Sequence, residues 1–445
     1  MVHDFRVKLL HMNTLTPPLT HPLHTALEFP PLVRIRQRFP RPRLDDVEAA
    51  VQAELDASPV AIPARGNIAI AVGSRGIANL ALIVRTVVRW VKAQGGQPFI
   101  VPAMGSHGGA TADGQRQVVE GYGVTEAFTG APIRSSMDVV ELPNPGLPIS
   151  LYFDRNAHAA DGVIVINRIK LHTDFHGAYE SGLMKMIVIG LGKHAQALAV
   201  HQHGTQGLRE LMPKAAQAVI DQGRILFGLG IVENAYDETR TVRLVPAKRI
   251  PQVEPELLAQ ARLSMPRLPV DDLDVLVIDR FGKDISGAGI DTNIIGRWMI
   301  HNEPEPQRPH IRSIVLCDLS PGSHGNAIGM GLADIMHRRA YDKIDWQATY
   351  ENMYTSSFLY RGRTPVVVDS DQQALHYALR GSNVLDPAQA RLARIQDTLH
   401  LAELLVSHAV LNELEGRDDI EVLDPVGELF DAQGNYRFGT LSQPA

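Results

Sequence analysis

The sequence has one cysteine, no strong excess of charge of either sign and no long apolar run. Cys317 is the one cysteine in 445 residues, which excludes a disulfide framework and a cysteine-based structural zinc site and indicates a reducing compartment. The formal net charge is −6, from 43 Lys and Arg against 49 Asp and Glu, and nothing in this balance indicates a nucleic-acid-binding protein. A small polar substrate fits the composition better than DNA.

Membrane spans, signal peptides and repeats are also lacking. No apolar stretch reaches the roughly twenty residues that a membrane-spanning helix needs. The N-terminus, from Met1 to Leu32, interrupts each apolar run with Pro or His, which does not match a signal peptide. Tandem repeats of the solenoid kind are absent. We therefore expect a soluble cytoplasmic protein.

The length and the distribution of proline predict a leader and two domains. Residues 1–42, rich in Pro and His, are predicted to form a leader or loose arm. An N-terminal domain is predicted over 43–265 and a C-terminal domain over 270–445, because two prolines interrupt the stretch LSMPRLPVDDLDV, residues 263–275. We expect the active site in the cleft between the domains, with the C-terminal domain closing it.

Strands and helices alternate along the chain. The sequence predicts a strand over 67–72, a helix over 77–93, a strand in QPFIVPAM (97–104) and another in DGVIVINRIKLH (161–172). A long helical region is predicted over 387–406. This alternation predicts an α/β fold of two domains, each with a mostly parallel sheet flanked by helices.

Two glycine-rich turns follow the first two predicted strands of the N-terminal domain. They read GSRG from residue 73 and GSHGG from residue 105. In open α/β sheets ligands bind at the carboxyl ends of the strands, where backbone N–H groups and helix N-termini favour anions. Arg75 and His107 are therefore candidate binding residues, although such glycines can also do no more than permit a tight turn.

Histidines are concentrated in one short segment. Of the 18 histidines, five lie within 32 residues: His172, His176, His194, His201 and His203. Histidine binds borderline metals and titrates near neutral pH, so the cluster indicates metal ligands, acid/base groups or both. The stretch HTDFH lacks the glutamate directly after the first histidine that the helical metalloprotease motif requires.

A lysine interrupts the apolar run between residues 180 and 194, ESGLMKMIVIGLGKH. An ammonium among aliphatic side chains reaches out to solvent, finds a partner or loses its charge, and in the last case Lys185 would be a nucleophile. His201 follows 16 residues later, so a ligand anchored on Lys185 could present a metal to that imidazole. Gly190 and Gly192 would let the backbone pass close to such a ligand.

Taken in order, these features resemble the nickel-dependent lactate racemase family over roughly residues 40–210. The resemblance rests on five residues in sequence: Arg75, His107, His172, Lys185 and His201. It implies a pyridinium-derived pincer nucleotide that holds nickel and is joined covalently to Lys185, with His201 completing the nickel coordination. It further implies that Gly73, Ser74 and Arg75 hold the nucleotide or the substrate carboxylate.

The resemblance also implies a reaction, the racemisation or epimerisation of a 2-hydroxy acid by hydride transfer. Such a reaction needs a hydride acceptor and a base for the hydroxyl proton of each enantiomer. The implied acid/base pair is His107 and His172, with His176 as the alternative second base. Lys283, early in the C-terminal domain, is the implied substrate contact, and its surroundings FGKDISGAGIDTN differ from those of the lactate enzymes. The identity of the 2-hydroxy acid therefore stays open.

Two other functions remain as alternatives. A nucleotide-dependent 2-hydroxyacid dehydrogenase would also use βαβ units, but GSRGIANL does not give the G-x-G-x-x-G fingerprint. A non-enzymatic nickel-binding protein would bind the metal by the histidines alone, with Lys185 dispensable. Within the racemase interpretation, His203 or His194 is the alternative to His201 as the nickel ligand. The expected partners are a small-molecule substrate and the enzymes that make the cofactor, with no nucleic acid and no membrane.

Overall fold

The computed structural model describes residues 28–73 and 76–437. Within them the chain forms two compact units. The N-terminal unit comprises residues 39–267 and 355–357, and the C-terminal unit comprises residues 28–38, 268–354 and 358–437.

Fifteen strands are found in the described residues. In chain order they are β1 (Leu32–Gln37), β2 (Asn67–Val72), β3 (Gln97–Pro102), β4 (Val139–Leu142), β5 (Leu151–Asp154), β6 (Gly162–Arg168), β7 (Ile225–Glu233), β8 (Thr239–Pro246), β9 (Asp272–Phe281), β10 (His310–Leu319), β11 (Ile335–His337), β12 (Val366–Val368), β13 (Leu392–Ile395), β14 (Glu403–Ser407) and β15 (Ile420–Pro425).

Fifteen α-helices connect these strands within the same residues. They are α1 (Val47–Asp56), α2 (Leu80–Ala93), α3 (Ala112–Gly121), α4 (Glu126–Thr129), α5 (Arg155–His158), α6 (Leu183–Lys185), α7 (Lys193–His201), α8 (Gly204–Gln206), α9 (Met212–Asp221), α10 (Ile250–Ser264), α11 (Thr292–Ile295), α12 (Arg338–Tyr341), α13 (Trp346–Ser356), α14 (Asp371–Gly381) and α15 (His408–Glu413). Two π-helical turns, Met186–Gly190 and Gly207–Leu211, follow α6 and α8 directly.

The N-terminal unit is built on a five-stranded sheet in the order β3-β2-β6-β7-β8. Strands β3, β2, β6 and β7 are parallel, and β8 is antiparallel to β7. Strands β4 and β5 form a separate antiparallel pair. The predicted α/β fold with a mostly parallel sheet is therefore confirmed in this unit.

Both faces of this sheet are buried. Ile68, Ile70 and Val72 of β2 pack in a core with α1 and α2, whereas Ala69 and Ala71 pack in a second core with the segment from α6 to α9. Because successive side chains of a strand point to opposite faces, an unbroken apolar strand is what a sheet covered on both sides requires. The strand predicted over 67–72 from this pattern is β2.

The C-terminal unit contains an eight-stranded mixed sheet in the order β12-β11-β10-β9-β13-β14-β1-β15. The five strands from β12 to β13 are parallel. From β13 to β15 each strand is antiparallel to its neighbour. Helix α14 packs on the parallel part, in a core with β9 and β10.

Residues 32–37, which the sequence analysis placed in a leader, instead form β1 between β14 and β15. Leu32, Val33 and Ile35 are buried, and Arg36 pairs with Glu403 on the neighbouring strand. The prolines and histidines around this short strand led to its assignment to the leader. The strand that pairs with it, β14, is about 370 residues away, so nothing nearby in the sequence indicates its burial. The rest of the leader prediction, residues 1–27, lies outside the described residues.

The helical region predicted over 387–406 is also wrong. This segment forms β13 and β14, which pair antiparallel with each other. Every residue of the two strands is buried, so the long apolar stretch reflects a position inside the sheet. An apolar run of this length does not distinguish a buried helix from buried strands by periodicity.

Candidate active site

The carboxyl edge of the N-terminal sheet has a switch point between β2 and β6. The chain continues from β2 to β3 on one side and returns with β6 on the other, the arrangement that forms a ligand crevice in open α/β sheets. Gly73 follows β2, and a Cβ atom there would lie 2.9 Å from Met186 Cε and 3.1 Å from Asn167 Oδ1. The turn therefore passes directly against the residue after Lys185. Ser74 and Arg75 lie outside the described residues.

The segment that carries Lys185 is a helix interrupted by a π-turn and a sharp bend. The segments Leu183–Gly190 and Lys193–His201 meet at an angle of 107°, and π-turns are frequent at functional sites. A Cβ on Gly190 would lie 2.9 Å from the Ala103 carbonyl oxygen, and one on Gly192 would lie 2.5 Å from that of Val188. These glycines thus permit close packing of the protein on itself, which differs from the predicted approach to a ligand.

Lys185, at the end of α6, lies directly against His172. The Lys185 Nζ to His172 Nε2 distance is 2.5 Å. His172 is 8% exposed, its ring packs on Phe175 with a centroid distance of 4.7 Å, and its backbone N–H donates to the buried Glu180 carboxylate at 2.7 Å. Packing and hydrogen bonding therefore fix the imidazole in front of the amine.

The contacts of His172 define the protonation of this pair. The backbone N–H of Asp174 donates to His172 Nδ1 at 3.1 Å, closer than the Asp174 carboxylate at 3.5 Å. Burial lowers the pKa of His172 well below its usual value, and a positive charge on Lys185 would act in the same direction. A neutral ring that accepts at Nδ1 carries its proton on Nε2. A ring in that tautomer hydrogen-bonds to Lys185 Nζ only when the amine carries no proton.

His201 lies at the end of α7 in the same cluster. Its pKa is lowered to about 4, first by burial and second by the positive charge that Lys185 carries when it is protonated, while Asp174 opposes the shift. His201 also acts on the pKa of His172, which places the three side chains within electrostatic reach of one another. At neutral pH the His201 imidazole is uncharged, so it has a lone pair for a metal.

The other three histidines of the cluster lie elsewhere. His176 is exposed, and its Nδ1 is 3.2 Å from Glu180 Oε1. His203 is exposed two residues beyond the end of α7. His194 is partly buried, and its Nδ1 has no hydrogen-bond partner among the described residues. The geometry thus favours His172 over His176 and His201 over His203 for roles near Lys185.

His107 lies on the exposed side of the turn after β3. Gln115 of α3 anchors the backbone of this turn. Its Nε2 donates to the carbonyl oxygens of Gly105 at 2.8 Å and His107 at 3.2 Å. Gly105 has a φ of +60°, a conformation that favours glycine. The His107 backbone is therefore anchored, while its side chain is accessible.

A second lysine, which the sequence analysis did not single out, supports this anchor. Lys193 and Asp154 are both fully buried and form an ion pair at 3.2 Å. Lys193 Nζ also donates to Gln115 Oε1 at 3.0 Å and to the Pro102 carbonyl oxygen. Burial lowers the pKa of Lys193 and raises that of Asp154, and each partner opposes the shift of the other. The apolar run around Lys193 is the sequence feature that could have indicated a buried lysine here.

A buried carboxylate caps the helix that carries Lys185. Glu254 Oε2 accepts the backbone N–H of Met184 at 2.8 Å, and Oε1 has no hydrogen-bond partner among the described residues. A Cβ on Gly182 would lie 2.2 Å from Oε1, so glycine makes room for the carboxylate. Burial raises the pKa of Glu254 to about 7. Nothing in the sequence around Glu254 indicated this contact.

Lys283 belongs to the C-terminal unit, in the loop after β9. Its backbone N–H donates to Ser323 Oγ at 2.9 Å, and its Nζ donates to the Gly287 carbonyl oxygen at 2.6 Å. Both contacts fold the loop onto the carboxyl edge of the C-terminal sheet. The predicted contact of Lys283 with a substrate stays a prediction.

Metal and membrane features were searched in the described part of the chain. There, no group of three or more His, Cys, Asp or Glu side chains could hold a metal ion. No single helix in residues 28–73 and 76–437 has the length and apolar composition to cross a membrane, and the one bent pair that meets these criteria together is Leu183–Gly190 with Lys193–His201.

Comparisons with known proteins agree with the fold. Residues 70–242 match the model of a family described as a domain of unknown function, DUF362. No curated protein matches the chain. Among solved structures, the lactate racemase apoprotein from Thermoanaerobacterium thermosaccharolyticum matches with a TM-score of 0.50 and 11% identity, over 83% of this chain and 99% of that chain. The predicted resemblance is therefore confirmed at the level of the fold.

Proposed function

We propose that the protein is an isomerase that racemises or epimerises a small 2-hydroxy acid with a nickel-pincer nucleotide attached to Lys185. The observation that carries this proposal is the contact of Lys185 Nζ with His172 Nε2, in a cluster that includes His201. The likeness in fold to a lactate racemase apoprotein supports the same class of reaction.

The surroundings of Lys185 fit a covalently bound cofactor. An amine must be unprotonated to attack an electrophilic carbon, and the hydrogen bond from the Asp174 N–H to His172 Nδ1 supports that state of Lys185. Gly73, at the start of the glycine turn, packs against Met186, the residue after Lys185. In the proposal this turn, with Ser74 and Arg75, holds the nucleotide or the substrate carboxylate.

His201 is the proposed protein ligand of nickel. A neutral imidazole is a suitable donor for Ni²⁺, and the pKa of about 4 keeps His201 neutral throughout the physiological range. Because burial disfavours the protonated ring, protons do not compete with nickel for the His201 nitrogen at neutral pH. The remaining ligands come from the organic part of the cofactor, in line with the family that the sequence resembles.

His172 and His107 are the proposed acid/base pair. When bound, the cofactor would supply the acceptor for a hydride from the substrate Cα atom. The two enantiomers present their hydroxyl groups to different sides, so each needs its own base. His172 is neutral at pH 7, because burial lowers its pKa. As the base it would use Nε2 in the other tautomer, which carries its proton on Nδ1, 3.5 Å from the Asp174 carboxylate. His107 lies on an anchored turn at the carboxyl end of β3.

Further parts of the proposal concern the partners and the setting of the site. We place the substrate in a cleft closed by the C-terminal domain, with Lys283 as a contact. The partners are the substrate and the enzymes that make the cofactor, and the compartment is the cytoplasm. None of these features involves nucleic acid or a membrane.

Intact-mass measurement on protein produced together with the cofactor-making enzymes tests the proposal. We expect a mass adduct on the wild type that is lost in Lys185→Ala and kept in Lys214→Ala, a matched change at an exposed lysine of α9. Nickel without an adduct, retained in Lys185→Ala, would instead indicate a storage protein.

The same preparations test the reaction. His107→Ala and His172→Ala should keep the adduct but lower turnover of the active 2-hydroxy acid by about 10²- to 10⁴-fold. A substrate deuterated at Cα should keep its label in the product if a hydride is transferred and lose it to water if a proton is removed. Full activity of His172→Ala would contradict its proposed role and move that role to His176.

A further inference from the structure

The C-terminal unit has a switch point of its own, at the carboxyl ends of β9 and β13. The chain passes from β9 through β10 and β11 to β12 on one side and returns with β13 on the other. The backbone N–H of Arg280 donates to the Gln396 carbonyl oxygen at 2.9 Å, so both strands end at the same level. Such crevices bind ligands in open α/β sheets.

An aspartate and a histidine form a fixed pair at this point. Asp397 is 1% exposed, and its Oδ1 lies 2.8 Å from His400 Nδ1. The same oxygen accepts the backbone N–H groups of Leu399 and His400, each at 2.9 Å, and Gln396 Nε2 donates to Oδ2 at 3.3 Å. Because the carboxylate can only accept, it fixes the proton of His400 on Nδ1 and leaves Nε2 as the acceptor.

A guanidinium joins this pair. Arg280 NH2 lies 3.9 Å from Asp397 Oδ2, and the side chains of Arg280 and His400 are 36% and 31% exposed. The buried carboxylate therefore fixes the imidazole by a hydrogen bond and lies at ion-pair distance from the guanidinium, and both side chains reach solvent. Lys283, three residues beyond Arg280, follows in the loop at the same edge.

We propose that Arg280 and His400, positioned by Asp397, bind a small 2-hydroxycarboxylate on the C-terminal unit. The guanidinium takes the carboxylate, for which its paired N–H groups are suited, and His400 Nε2 accepts the hydrogen bond of the 2-hydroxyl group. The choice of ligand class rests on the proposed function, whereas the site itself rests on the contacts of Asp397. It assigns roles to three residues that the sequence analysis did not single out.

The test uses the full chain without cofactor, labelled at the histidine ring nitrogens, with sodium lactate as the probe and acetate as the analogue without a hydroxyl group. We expect the ring signals of His400, assigned by their absence in His400→Gln, to shift saturably with lactate and less with acetate. Arg280→Met should weaken the apparent lactate affinity about tenfold or more, as the loss of a charge-assisted hydrogen bond predicts.

His310→Gln is the matched control. His310 also faces an aspartate, with Nδ1 3.7 Å from Asp272 Oδ1, but it begins β10 and so lies at the opposite edge of the sheet. This variant should bind lactate as the wild type does. Unchanged His400 signals, or equal lactate affinity in Arg280→Met, would overturn the site.

The outcome separates this inference from the proposed function. If His400 responds to lactate but cofactor-loaded protein isomerises no 2-hydroxy acid, the site stands and the proposed function fails. If loaded protein is active and His400→Gln leaves lactate binding to the cofactor-free chain unchanged, the proposed function stands and the site fails.

Discussion

Two lysines in one apolar segment, eight residues apart, have very different surroundings. Lys193 is fully buried and meets oxygen atoms: the carboxylate of Asp154, the side chain of Gln115 and the carbonyl of Pro102. Lys185 is partly buried and meets the nitrogen of a neutral imidazole, His172. Burial acts on both amines, but the partners decide what each can do.

The difference separates a structural lysine from a reactive one. An ammonium held by a carboxylate and two neutral oxygens keeps its proton and ties together the elements that provide these acceptors. An amine placed against imidazole gains less from its charge and is available as a nucleophile. Lys193 therefore supports the turn of His107 through Gln115, whereas Lys185 is the residue to which we propose that the cofactor is joined.

The largest expected effect comes from breaking the buried ion pair. Lys193→Met leaves the Asp154 carboxylate buried without its cation, which should lower the free energy of unfolding by about 3–5 kcal/mol. Urea unfolding of the cofactor-free protein at pH 7 measures this loss. The double variant Lys193→Met with Asp154→Asn should recover much of it, because no buried charge remains. A loss below about 1 kcal/mol in the single variant would show that water reaches the pair.

The free energy of unfolding measured against pH tests the surroundings of Lys185 through its neighbour His201. His201 has a pKa of about 4 in the folded protein and about 6.5 in the unfolded chain. As the pH falls from 6.5 to 4, the unfolded chain binds a proton that the folded protein does not bind. Stability should therefore fall in this window, by up to about 3 kcal/mol from His201.

His201→Gln removes this contribution and is the variant to compare. The free energy of unfolding of this variant, measured at steps between pH 7 and pH 4, should fall less steeply with falling pH than that of the wild type. The difference in slope corresponds to at most one proton bound on unfolding. His203→Gln, at the exposed histidine two residues on, controls for the loss of any histidine. Parallel curves for His201→Gln and the wild type would contradict the low pKa.

Much of the N-terminal fold could be predicted, because its signals are local. The buried strand over 67–72 and the helix that ends at Ala93 follow from periodicity within a few residues. The segments that failed depend on distant partners. Strand β1 is buried by β14 and β15 from the far end of the chain, and β13 with β14 contains apolar runs that fit helix and strand alike.

The residues of the candidate site also fall into those that the sequence indicated and those that it did not. Lys185 and the histidines were visible because a charge in an apolar run and a local excess of one residue type can be counted along the sequence. Asp154, Gln115 and Glu254 were not, since each contacts a residue of the Lys185–Lys193 segment or its helix from 39 to 78 positions away. Supporting residues gain their role from tertiary packing, which one sequence does not reveal.

The smallest effect should come from Lys185 itself. In cofactor-free protein, Lys185→Met replaces an amine by an apolar side chain of similar length, so the free energy of unfolding should change by no more than about 1 kcal/mol, against several for Lys193→Met. The informative readout is the titration of His201, followed through its ring signals. A positive charge on Lys185 lowers the pKa of His201, whereas an uncharged amine does not. Because Lys185 is charged near pH 4, where His201 titrates, we expect the pKa of His201 to rise in Lys185→Met. An unchanged pKa of His201 in the variant would contradict the electrostatic contact between Lys185 and His201, and with it the surroundings that distinguish Lys185 from Lys193.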